Sequence, residues 1–121
     1  MSPRSSDGRT NDEELYALLD DDYARRILVE TYGETRSAEA LSDACGASES
    51  TIYRRVERLR DRDLIEGVQR LDPGGHHHEV YAARLERVTI DLTDEGFVVE
   101  VDYAEEHAAD RFTRLYEELS G

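Results

Sequence analysis

Up to Leu64 apolar residues recur at helical spacing; beyond it they alternate with polar ones until a last helical stretch begins near Ala104. Residues 1–11 (MSPRSSDGRTN) carry no apolar anchor and are expected to form a disordered arm. From Asp12 to about Asp21, Leu15, Leu18 and Leu19 mark a first helix with Asn11 or Asp12 as its cap. Tyr23–Tyr32 repeats the pattern through Ala24, Ile27, Leu28 and Tyr32, and Gly33 is placed to close it. Ser37 caps a third helix with Ala38, Leu41 and Ala44 or Cys45 on its stripe, and Gly46 ends it. A four-residue turn, Gly46–Glu49, leads to a fourth helix from about Glu49 to Asp63, with Ser48 as cap and Ile52, Val56 and Leu59 on one face. Two short helices around a glycine turn are a helix-turn-helix.

After Leu64 the pattern predicts strands. Ile65–Leu71 and His78–Leu85 flank the turn cluster Asp72–Gly75 and form a hairpin. Val88, Ile90 and Leu92 alternate up to Thr93–Gly96, and Phe97, Val99 and Val101 alternate back, which makes a second hairpin. Ala104, Ala108, Phe112, Leu115 and Leu119 then share one side of a final helix. The expected class is α+β. Its parts are an arm 1–11, a helix-turn-helix with its hairpin over 12–85, and a second hairpin with a closing helix over 86–121.

Composition adds the solvent. The chain has 15 basic and 29 acidic residues, a formal charge of −14, and all the basic residues are Arg. Acidity without Lys is not the hyperthermophile pattern, in which Lys rises with Glu. It suits a salt-rich cytoplasm, where self-repulsion is screened within about 3 Å at 1 M, and it implies a halophile, an archaeon, with cations gathered at the acidic surface. Hydrophobic residues are 38% of the 121, enough for one small core. The lone cysteine, the lack of an apolar run of membrane length and the polar N-terminus predict a reduced, cytoplasmic protein without a membrane partner.

Candidate chemistry gathers on helix four. With Ile52 at 0° and about 100° per residue, Val56 and Leu59 lie within about 40° of it, while Ser50, Arg54, Glu57, Arg58 and Asp61 cluster opposite. Thr51 sits beside that cluster, and Arg55 and Arg62 flank it. A helix-turn-helix offers the N-terminal part of its second helix to base edges in the major groove and holds phosphates with flanking cations. Ser48, Ser50, Thr51, Tyr53 and Arg54 occupy the reading end, and Arg55, Arg58, Arg62 and Arg70 are expected on phosphates. Between Ser50 and Leu71 six Arg face four acids, so this window is positive inside an acidic chain. The plainer alternative is an exposed face whose Arg residues pair with Glu57 and Asp61.

From about Asp22 to Leu85 the sequence resembles the winged helix-turn-helix domains of the ArsR-like superfamily of prokaryotic regulators. The resemblance rests on DYARRILVETY and SAEALSDACGASESTIYRRVERLRDRDLIE, with Ser48, Ser50, Thr51, Arg54, Arg55, Arg58, Leu59, Leu64 and Ile65 at the pattern positions. With the Lys-free composition it is similar to haloarchaeal regulators, including those of oxidative stress. The resemblance implies a transcription regulator that binds double-stranded DNA at a pseudo-palindromic operator, with the hairpin 65–85 as its wing.

Other residues invite narrower readings. Arg70, His76 and His77 at the wing tip suit the backbone or a narrow minor groove. Three consecutive His also suggest a metal, but neighbours on a strand point to opposite faces, so no metal site is expected. Cys45 invites a redox role, yet it sits on an apolar stripe with no cation within five residues in sequence. Phe112, Leu115 and Leu119, with Leu15 and Leu19, are expected to form a homodimer interface; folding back of the last helix on its own hairpin is the alternative. No phosphate loop, nucleophile elbow or HExxH motif is present, so neither an enzyme nor a cofactor is expected. Two rivals remain: a winged helix that binds proteins instead of DNA, and a repressor responsive to redox state or metal.

Overall fold

The computed structural model describes residues 4–104, with side chains from Asp12 onward. Helix α1 runs Arg4–Asp20 and α2 Asp22–Tyr32, followed by strand β1 Arg36–Ser37, α3 Ala38–Cys45 and α4 Glu49–Asp61. Strands β2 Ile65–Leu71, β3 His77–Ala83, β4 Leu85–Thr93 and β5 Gly96–Tyr103 complete the order. The architecture is α+β, a winged helix-turn-helix carrying a second hairpin.

Caps set the helix borders. Asp21 accepts from the Ala24 amide at 2.9 Å and starts α2, a role the sequence had left unassigned. Ser37 accepts from Ala40 N at 3.1 Å and Ser48 from Thr51 N at 3.2 Å, as their positions predict. Gly46 ends α3 at φ 63°, where a Cβ would be strained. Gly33, expected to close α2 in the same way, remains right-handed at φ −99°. Helix α4 stops at Asp61 instead of Asp63, because Asp63 itself turns left-handed at φ 58°.

Three further differences have physical causes. The arm foreseen as disordered is the first part of α1 from Arg4: once residues 12–20 are helical, each added turn needs no new nucleus. Strand β1 was not foreseen because two residues show no period; it pairs Arg36 with Tyr81 and Ser37 with Val80. Leu15, assigned to a dimer interface, is fully buried in the chain's own core, and Leu19 packs partly against it. Phe112, Leu115, Leu119 and the closing helix lie outside the described residues.

Leu15, Leu18, Ala24, Ile27, Leu41, Ile52, Val56, Leu59, Leu64, Ile65 and Tyr81 form one buried cluster. The wing sheet has the order β1-β3-β2, all antiparallel, and β4-β5 stand as a separate pair. The amides of Arg84 and Leu85 donate to Leu64 O at 2.8 and 3.2 Å, and Tyr103 donates its hydroxyl to Arg62 O at 3.3 Å. These bonds anchor the base of the second hairpin to the end of α4 and the start of the wing. No helix among the described residues is long and apolar enough to cross a membrane.

Leu59→Ala is expected to lower unfolding free energy by about 2–5 kcal/mol, whereas Val29→Ala at an exposed position should stay within about 0.5 kcal/mol. Urea titration in molar KCl measures both.

Candidate nucleic-acid interface

The left-handed Gly46 and the Ser42 hydroxyl, which donates to Ala47 O, fix the turn between α3 and α4. Burial of Ile52, Val56 and Leu59 then sets the rotation of α4, so Ser50, Tyr53, Arg54, Glu57 and Asp61 face solvent. Tyr53 is 52% exposed although aromatic. Ser48 uses its oxygen as the helix cap and also donates to Thr51 Oγ1 at 3.0 Å, so it belongs to the architecture of the turn before any ligand arrives.

The two flanks of α4 differ from expectation. Arg55 donates from Nε to Asp21 Oδ2 at 2.9 Å and lies over the Tyr23 ring, 5.7 Å from its centre. Arg58 donates to Glu14 at 2.9 Å, and Arg60 donates to Glu79 at 3.1 Å. Arg62 turns inward, its Nε buried without a hydrogen-bond partner. Of the residues expected on phosphates, Arg55 and Arg58 are already paired within the chain, to the α2 cap and to α1, and Arg62 has its Nε buried. Their partners were out of reach of sequence reading, since Asp21 and Glu14 lie 34 and 44 positions away along the chain. The pairing with Glu57 and Asp61 weighed as an alternative does not occur among the described residues.

The charge of the reading edge changes accordingly. Asp21, Glu14 and Glu79 bring three acids onto the Arg residues of the window and Arg84 brings one cation onto its Glu66, so its surplus of two is cancelled. Arg54 on α4 and Arg70 on β2 are exposed and make no ion pair with another described residue. These two are the exposed, unpaired cations of α4 and the wing among the described residues.

The wing tip is built around Asp72, whose Oδ1 accepts from the amides of Gly74 and His76, both at 2.9 Å, with Gly75 at φ 85°. His76, His77 and His78 are exposed, and His78 pairs across the sheet with Arg70. Among the described residues no three His, Cys, Asp or Glu side chains come together as a metal set.

Two further ionisable groups have their pKa raised. Cys45, with no cation near it in sequence, has Arg26 near it in space and lines an open cleft of about 530 Å³ with Asp22, Tyr23, Arg25, Val29 and Ala44. Burial nevertheless pushes its thiol up, against the opposing pull of Arg26, which makes it a poor thiolate. Tyr81 is raised to about 12 by burial and by its hydroxyl bond to Glu79, so it stays a neutral donor.

Burial works to raise the Asp21 carboxyl, but the Ala24 amide and the Arg55 guanidinium outweigh it and hold the group below its ordinary range. A lowered folded value stabilises above the unfolded value, about 3.9, and the gain vanishes as pH falls through the folded value. Asp21→Asn should therefore lower stability at neutral pH and flatten the acid limb of a stability–pH curve. A double-mutant cycle with Arg55→Ala should give a coupling of about 1 kcal/mol or less.

Residues 19–68 match the family model of a helix-turn-helix domain, a span that holds α2, α3, α4 and the start of the wing. No match was found among curated proteins. The family match supports a DNA-binding regulator in general, a class that is typically not enzymatic.

Proposed function

We propose that the protein is a sequence-specific transcription regulator that binds double-stranded DNA as a homodimer in high salt. Helix α4 enters the major groove and the wing rests on the adjacent backbone or minor groove. The observation that carries this reading is Arg54: exposed, without an ion pair among the described residues, and placed beside Ser50, Thr51 and Tyr53 on the first half of α4. The planar guanidinium fork matches a guanine edge, and the hydroxyls suit neighbouring bases. On the wing, Arg70 with His76 and His77 supplies the backbone contacts. The two-fold contact falls in residues 86–121, since Leu15 has no surface left to offer.

The braced Arg residues alter how binding is driven. With Arg54 and Arg70 as the cations offered per chain, counterion release is small, and the salt slope should be no steeper than about −2 per monomer by the rule of about −0.9 per phosphate neutralised. Short-range base contacts and shape carry the affinity, so binding persists at molar salt.

The neutralised flanks of α4 favour one rival, a winged helix that binds a protein. Retention of genomic fragments on the immobilised full chain in molar KCl separates the two: enrichment of a shared, two-fold symmetric site is expected, and no retained fragment would leave the rival standing. On the enriched site Arg54→Ala should lose about 1–3 kcal/mol of discrimination against random DNA, whereas Arg70→Ala should weaken both alike. Equal losses from both variants would refute the division of roles.

A further inference from the structure

The solvent face of α4 carries acids as well as Arg54. Opposite Ile52, within a sector of about 60° at about 100° per residue, lie Ser50, Arg54, Glu57 and Asp61 in order along the axis. Glu57 is exposed, and its carboxylate makes no hydrogen bond or ion pair with another described residue. Cations are within reach: Arg54 and Arg60 stand three positions away on either side, a spacing at which helix side chains meet. Arg60 is held by Glu79 at 3.1 Å instead, and Arg54 is itself unpaired among the described residues. Asp61, four positions on, adds like-charge repulsion. A carboxylate without a partner among the described residues thus sits in the middle of the face that α4 offers to a ligand.

We propose that Glu57 reads a cytosine close to the guanine read by Arg54, an inference that rests on the placement of α4 in the major groove. Ser50, Tyr53, Arg54 and Glu57 are spaced i, i+3, i+4, i+7, so they span two turns, about 10.5 Å of helix. That is the length of about three base pairs at about 3.4 Å each. Arg54 and Glu57 are about 4.5 Å apart along the axis and so address base pairs one or two steps apart. What a carboxylate can accept there is narrow. Guanine offers N7 and O6 and thymine offers O4, all acceptors that repel it, and the amino group of adenine has the acceptor N7 beside it. Cytosine presents its N4 amino group with a C–H on the outer side, which leaves room for a carboxylate oxygen. Glu57 therefore selects as much by excluding the other bases as by attracting this one. Asp61 lies about 6 Å further on, at the last residue of α4, beyond the N-terminal part that meets base edges. Its charge repels the phosphate backbone whatever the sequence.

The test selects sites from randomised duplexes in molar KCl with the full chain, as the wild type and as Arg54→Ala, Glu57→Ala and Asp61→Asn. All three positions are exposed, so the variants keep the fold. The wild type should enrich a site in which one cytosine is fixed within two base pairs of the guanine that Arg54→Ala releases. Glu57→Ala should release that cytosine and keep the guanine, with discrimination at the cytosine falling about 5- to 150-fold. Asp61→Asn should strengthen binding to selected and random duplexes alike and leave the base profile unchanged. If the wild type enriches a site and Glu57→Ala keeps its full base profile, Glu57 reads no base, and the proposal falls while the DNA reading stands. The same holds if Glu57→Ala only strengthens binding uniformly, as Asp61→Asn does. If the wild type enriches no site, both fall together.

Discussion

Burial of one face of α4 is the interaction on which the interface depends. Ile52, Val56 and Leu59 are each almost wholly removed from water, worth about 1.5–3 kcal/mol apiece by transfer, whereas each partly exposed ion pair on the flanks contributes about 0.2–1 kcal/mol. The apolar face therefore decides how the helix is rotated, and the charges adapt to that rotation. Arg54 faces solvent because it lies opposite Ile52. Arg55 and Arg60, one or two positions from apolar residues, meet Asp21 and Glu79 because those acids border the same core.

This ordering explains how an acidic chain holds an Arg-rich helix in place. The acids nearest α4 are not a repulsive shell; Glu14, Asp21 and Glu79 hold guanidinium groups at both edges of the core. Asp21 has two tasks at once, capping α2 and receiving Arg55. One carboxylate thus links the start of α2 to the orientation of α4. Glu79 is similarly shared between Arg60 and the Tyr81 hydroxyl, joining helix to wing.

Much of the fold is legible in the sequence because it is written in local patterns. Ser37 and Ser48 are side-chain caps at predictable places, Gly46 marks a left-handed turn, and the alternation after Leu64 predicts both hairpins. What local patterns miss is pairing across long separations. The surplus of Arg between Ser50 and Leu71 suggests a positive edge, yet its compensation comes from α1, the α2 cap and β3, which no window along the chain contains. Leu15 has the same cause: helical spacing shows that it faces something apolar, but not whether that is its own core or a neighbour. The exposed residues Ser50, Arg54, Glu57 and Asp61 were legible because their position opposite Ile52 follows from helix geometry alone.

The separation between the buried and solvent faces of α4 has an evolutionary consequence. Positions 50 and 54 are exposed and touch little of the folded chain, so a change there comes at almost no cost to folding. Positions 55, 58 and 60 are paired with acids at 21, 14 and 79, so a change there costs about 0.2–1 kcal/mol for each ion pair lost. A duplicated copy of this chain could therefore drift first at the solvent face of α4, while each change on its flanks carries that added cost.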